Sequence, residues 1–186
     1  MKKLFLMFAV ILIAVSVNAQ KHSISNATKF SIGIEPSLPV GTFNNPYDYK
    51  FGIGASAQIE QNVASNMGLT LNAGYLSFSN TQFTGSKFHL NVIPVMAGVK
   101  LWFSPKVYGH GQLGVSFNSI SGYSGVGSKT GFAYSPGIGF FISNNVDLLI
   151  KYFGNNIGSG SSINNSIYVF MPSTAGSIGA RLALSF

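Results

Sequence analysis

Few side chains in this chain are equipped for acid–base, nucleophilic or metal chemistry. Its 186 residues include three histidines, four acids and no cysteine. His110 lies in "YGHGQLGVSF", with Gln112 and Ser116 at even spacings from it, so the three share one face of a strand. A hydrolase or acyltransferase on that face would need a carboxylate to orient the imidazole. The segment has none. His89 opens another segment and His22 falls near the N-terminus, each away from the other two histidines. No Gly-x-Ser-x-Gly elbow, metal-spaced histidine pair or phosphate-cradling glycine loop appears. The chain is expected not to be an enzyme and to hold no metal or cofactor, and His110 reads as a hydrogen-bonded interior histidine.

The charged residues form a more coherent set. Glu35, Glu60, Lys100, Asp147, Lys151 and Arg181 all fall on the same parity of alternating segments, opposite the large apolar residues. Three acids meet three bases, so their common interior is formally neutral. Glu35, Lys151 and Arg181 each stand about five residues from the same end of their segments, which predicts a Glu35–Arg181–Lys151 cluster. Glu60, Lys100 and Asp147 are expected to lie nearer that end as a second layer. Unpaired charges in a dry interior are costly, which favours such pairing. A packed polar plug is the structural reading, and a proton or ligand path the functional one. Either requires the first and last segments to be neighbours, so the elements must close into a ring.

Eight alternating segments supply that ring: near 29–38, 51–60, 67–78, 89–103, 106–118, 130–142, 146–153 and 176–186. Most reach the roughly 9–11 residues with which a tilted strand crosses a bilayer. No sustained 3.6-residue period of helical length appears after the N-terminal stretch. The connections 61–66, 104–105 and 143–145 are short, whereas 39–50, 79–88, 119–129 and 154–175 are long. Such long–short alternation belongs to an up-and-down meander whose two ends face different compartments. The apolar parity (Phe30, Ile32 and Ile34 in the first segment, Leu69, Leu71 and Tyr75 in the third) carries no charge. Only 8% of all residues are charged, against about 25% in an ordinary domain. A soluble barrel would need a charged polar face, and here that face is mostly glycine and serine. The expected fold is therefore all-β: a closed, antiparallel, up-and-down transmembrane β-barrel of eight strands. At that strand number side chains fill the interior. Phe30, Phe103, Phe140 and Phe186 predict one aromatic girdle, and Phe51, Phe117 and Phe132 the other.

The opening "MKKLFLMFAVILIAVSVNAQ" has a basic start, an apolar run from Leu4 to Val15 and small residues before Gln20. That run is shorter than the about 20 residues a membrane helix needs, and the pattern is that of a secretory signal peptide. Residues 1–19 are read as the signal peptide and 20–186 as one barrel domain. After cleavage nine bases face four acids. This charge is too dilute for a nucleic-acid stripe and suits anionic lipid head groups better.

"IPVMAGVKLWF" (93–103) and "AYSPGIGFFISNNVDLLIKY" (133–152), together with the final "SIGARLALSF", resemble the small outer-membrane β-barrel family related to the OmpA and OmpX type of Gram-negative bacteria. The resemblance implies an integral protein of the bacterial outer membrane, surrounded by its lipids and lipopolysaccharide. A filled polar lumen and exposed outer loops would then serve a structural or surface-interaction role. It also implies that the closing strand, with Leu182, Leu184 and Phe186 on its outward parity, is the signal read by the outer-membrane assembly machinery. The name "porin", often attached to such chains, does not fit eight strands literally. Two other functions occur among small barrels: a lipid-modifying enzyme of the lipid A deacylase or acyltransferase type, and a conduit for a small hydrophobic ligand. The outer connection 154–175, with "SIYVFM", has no assigned role.

Overall fold

The computed structural model describes residues 28–44, 49–80, 88–121, 128–157 and 174–186. The expected signal peptide, His22 and the greater part of the 154–175 connection lie outside the described residues. Nine strand segments are present: β1 (Thr28–Ile34), β2 (Ser37–Val40), β3 (Tyr49–Ala64), β4 (Met67–Asn80), β5 (Phe88–Trp102), β6 (Val107–Ser121), β7 (Lys129–Phe141), β8 (Val146–Asn156) and β9 (Thr174–Ser185). Each of β3 to β8 pairs antiparallel with the next in sequence. Both β1 and β2 pair with β3 on one side and β9 on the other, which closes the ring. Closure leaves no strand edge, the condition for placing a sheet in lipid.

β1 and β2 are one barrel strand interrupted at Glu35–Pro36, where a continuous segment was expected. Proline has no N–H to give to a neighbouring strand. The surrounding groups still bond across the gap. Glu35 N–H donates to Gly54 O (2.8 Å), Gly54 N–H donates to Glu35 O (3.0 Å), and Ala180 N–H donates to Pro36 O (3.0 Å). The expected six-residue connection 61–66 is also shorter than its sequence suggests. Pairing continues past a bulge between Asn62 and Ala64, so only Ser65 and Asn66 turn the chain.

The outward parity is apolar along the barrel wall: Ile32, Ile53, Leu69, Leu71, Leu113 and Ile138 are all exposed. The inward parity divides into two zones. Toward the short-turn end it holds the charged residues. Toward the long-connection end, Phe43, Tyr49, Leu76, Phe78, Leu90, Val92, Met96, Ile120 and Phe153 belong to one buried apolar cluster. Gly41 makes part of this possible. Its φ of +63°, which favours glycine, opens the short 3-10 turn Gly41–Phe43. The turn folds Phe43 into the mouth, with its ring centroid 4.6 Å from Tyr49 and 4.8 Å from Phe78. Aromatic pairs at these distances add to the stabilisation from burial.

Candidate functional site

All six charged residues of interest are buried in the lumen. Lys151 Nζ lies 2.7 Å from Glu35 Oε2, and Arg181 Nε lies 3.6 Å from Glu35 Oε1. Topology explains the meeting, because β8 pairs with β9 and β9 with the β1–β2 strand. One acid is thereby placed among two bases. Ser56 on β3 completes the group. Its hydroxyl donates to Glu35 Oε1 (2.5 Å) and accepts from Arg181 Nε (2.8 Å). The guanidinium also donates to the Ser31 hydroxyl (3.0 Å). Lys151 is therefore the closer partner of Glu35, and Arg181 is held mainly by serines.

The second layer is built around a tyrosine. Lys100 Nζ donates to Glu60 Oε2 (2.5 Å). These residues come from strands on either side of β4, whose Thr70 pairs with Glu60 in register. Asp147 accepts a hydrogen bond from the Tyr108 hydroxyl. Lys100 Nζ sits 4.3 Å from the centroid of the Tyr108 ring, within cation–π range. Tyr108 thus links Asp147 to Lys100. The ring needs the space at Gly139, its register partner on β7, where a Cβ would overlap it. Tyr108, Ser56 and Thr70 were not singled out from the sequence, although inward parity on their strands was enough to find them.

His110 Nε2 lies 2.9 Å from the Thr70 hydroxyl. Ser116 instead donates to Asn155 Oδ1 (2.6 Å), and Asn155 Nδ2 donates to Asn118 Oδ1 (2.7 Å). The histidine and the serine therefore belong to separate hydrogen-bond groups. Among the described residues no group of three or more histidines and acids stands close enough to hold a metal ion.

Leu182, Leu184 and Phe186 point outward at the closing seam, where Leu182 and Leu184 pair with Ile34 and Ile32. Phe186 N–H donates to Phe30 O (2.8 Å), and the two rings lie 6.5 Å apart. Phe103 and Phe140 are exposed at the same end of the barrel, and Phe51, Phe117 and Phe132 toward the other. Beyond that second group the outward face of β4–β6 turns polar. Tyr75 and Ser77 hydroxyls both donate to Asn91 Oδ1 (2.9 Å each), Asn91 Nδ2 donates to Ser121 (2.9 Å), and Ser79 meets His89 Nδ1 (3.1 Å). With 14 or 15 residues each, these strands are longer than a crossing of roughly 9–11 residues requires. The polar collar marks where they leave the apolar layer.

Solved structures share this architecture. Ail, the attachment invasion locus protein of Yersinia pestis, aligns with a TM-score of 0.59 at 17% identity, covering 88% of this chain and all of that one. Neisserial surface protein A aligns at 0.57 and 16% identity, covering 86% of this chain and 97% of that one. The N-terminal β-barrel domain of OprF from Pseudomonas aeruginosa aligns at 0.50 and 10% identity, covering 87% of this chain and all of that one. No curated protein matches the chain. Residues 7–185 match the family described as "Outer membrane protein beta-barrel domain". An apolar outer wall, a closed antiparallel ring and a family match over nearly the whole length agree: the chain belongs to the outer membrane protein β-barrel family and is a protein of the bacterial outer membrane.

Proposed function

We propose that this barrel is a non-catalytic outer-membrane protein that acts through its outer connections. It would be exported by residues 1–19 and assembled through the closing strand. The observation that carries the reading is the engagement of the buried charged side chains and His110 with neighbouring groups inside the lumen. Glu35 is held by Lys151 and Ser56, Glu60 by Lys100, Asp147 by Tyr108, and His110 by Thr70. None of these side chains faces the lipid that a lipid-modifying enzyme must grip. The lumen charges serve as an interlocked polar network that ties strands together across the barrel. The long connections join strands at the end opposite the short turns and are the parts assigned here to partners at the cell surface. Ail was solved in complex with the heparin analogue sucrose octasulfate, which supports surface binding as a use of this architecture.

Lipid contact follows from the same geometry. At the seam the outer wall has a shallow hollow of about 780 Å³, lined by residues including Ile32, Ala55, Ala73, Tyr75 and Leu182. Membrane lipid and lipopolysaccharide chains are the occupants chemically suited to it. The test of the non-catalytic reading is mass analysis of lipid A from cells with and without the barrel. The expected result is an identical set of acylated species. A new deacylated or acylated species that disappears with His110→Ala would overturn it.

A further inference from the structure

Among the described residues, six buried side-chain polar atoms have no hydrogen-bond partner within the protein. They are the acceptors Gln58 Oε1, Glu60 Oε1 and Asn62 Oδ1 and the donors Asn72 Nδ2, Gln112 Nε2 and Ser135 Oγ. Their distribution is uneven. All belong to the lumen face from mid-height down to the short-turn end, which is the periplasmic end in an outer-membrane barrel. Polar groups nearer the outer end satisfy one another instead: Ser116, Asn118 and Asn155 form one group, and Ser37 donates to Ser177 (2.9 Å).

A buried polar atom left without a partner costs its full desolvation, so native proteins supply such atoms with protein groups or ordered water. Water serves donors and acceptors alike, provided the site is polar and roomy. We infer that the periplasmic half of the lumen is a blind hydrated vestibule, filled with water from the periplasm and sealed above by the apolar cluster.

The path is marked on β3. Residues 58, 60 and 62 are successive inward positions, so their Cα atoms step down the lumen by roughly 6.6 Å each. The lowest, Asn62, lines a cavity of about 370 Å³ at the periplasmic rim with Lys29, Asn66, Trp102 and Ser104. The highest, Gln58, pairs in register with Asn72, as Gln112 does with Ser135. Together they form a layer of amides and a hydroxyl around the wall. The ceiling begins at once, because the register partner of Asn72 on β5 is Met96, a member of the buried apolar cluster. Water therefore reaches the Glu60–Lys100 layer and His110 from the periplasmic side only.

Side-chain amide exchange with water, followed by NMR on the isotope-labelled barrel in lipid nanodiscs, tests this. The Asn72 and Gln112 amide protons should exchange at least about tenfold faster than those of Asn118 and Asn155. Replacing the lowest rung by an apolar side chain, Asn62→Leu, should slow Asn72 and Gln112 and leave Asn118 and Asn155 unchanged. If that variant does not fold, Asn66→Trp, a turn residue lining the same cavity, serves instead. Equal exchange at all four amides would overturn the hydrated vestibule. Fast exchange at Asn72 and Gln112 that neither substitution slows would overturn access from the periplasm.

Discussion

Charge counting around Glu35 predicts an asymmetry between two substitutions that a simple list of ion pairs would miss. Glu35 shares its pocket with two bases, Lys151 at 2.7 Å and Arg181 at 3.6 Å. The native group thus carries one net positive charge. Glu35→Gln keeps the shape but leaves two buried cations facing each other. Removing one partner of a buried pair costs about 3–5 kcal/mol, and this change should lie at the upper end of that range. Lys151→Met makes the group neutral. Glu35 still accepts from Ser56 at 2.5 Å and faces Arg181, so the loss should be about 1.5–3 kcal/mol, the range for a hydrogen bond to a charged group. The double variant returns the group to one positive charge, with Arg181 still held by Ser56 and Ser31. Its cost should fall short of the sum of the singles by about 1–3 kcal/mol, a coupling typical of contacting residues. Urea unfolding in thin lipid vesicles measures all four proteins, and the one tryptophan of the sequence, Trp102, supplies the signal. Additivity within about 0.5 kcal/mol, or Lys151→Met costing as much as Glu35→Gln, would refute the reasoning.

Deleting Phe186 should lower the amount of barrel in the outer membrane of cells sharply, while the purified chain still refolds in vesicles. The deletion costs a girdle ring, about 1.5–3 kcal/mol by burial, and the two Phe186–Phe30 seam hydrogen bonds, which a closed ring survives. Normal cellular levels would remove the assembly-signal reading. Gly139→Ala should cost about 1–3 kcal/mol, as overpacking in a filled interior does, because the new methyl displaces the Tyr108 ring from Asp147 and Lys100. Urea unfolding checks it, and an unchanged midpoint would show that the ring is free to move. Unboiled barrel should migrate differently from boiled barrel on a denaturing gel, and identical mobility would contradict a closed ring.

The wall was legible in the sequence because lipid imposes a strict rule on one parity. Any charge there is expensive, so the alternation in "FSIGI" or "GLTLNAGY" is unambiguous. The interior obeys a looser rule, since polar and apolar side chains both fill a lumen once packed. In "LNVIPVM" (90–96) Leu90, Val92 and Met96 face inward and Ile93 and Val95 outward. Apolar residues on both parities hide the boundary between the two lumen zones. Phe43 was hidden differently, because it enters the core from a turn set by one glycine. That Glu35, Lys151 and Arg181 share a neighbourhood follows from strand order and residue counting. Which base comes closer does not, because Ser56 and Ser31 compete for the guanidinium. Asp147 likewise found a tyrosine, whose position depends on the space above Gly139.

The filled lumen is the feature on which the account rests, and electrical recording across a planar bilayer tests it most directly. An apolar cluster at the outer end and interlocked charges beneath it are the groups that, on this account, close the lumen to ions. Water that enters the periplasmic half ends at that cluster and carries no ion across. The purified barrel, inserted at known density, should therefore show no steady conductance above that of the bare bilayer. A steady, single-level conductance that scales with the number of inserted barrels would contradict the account.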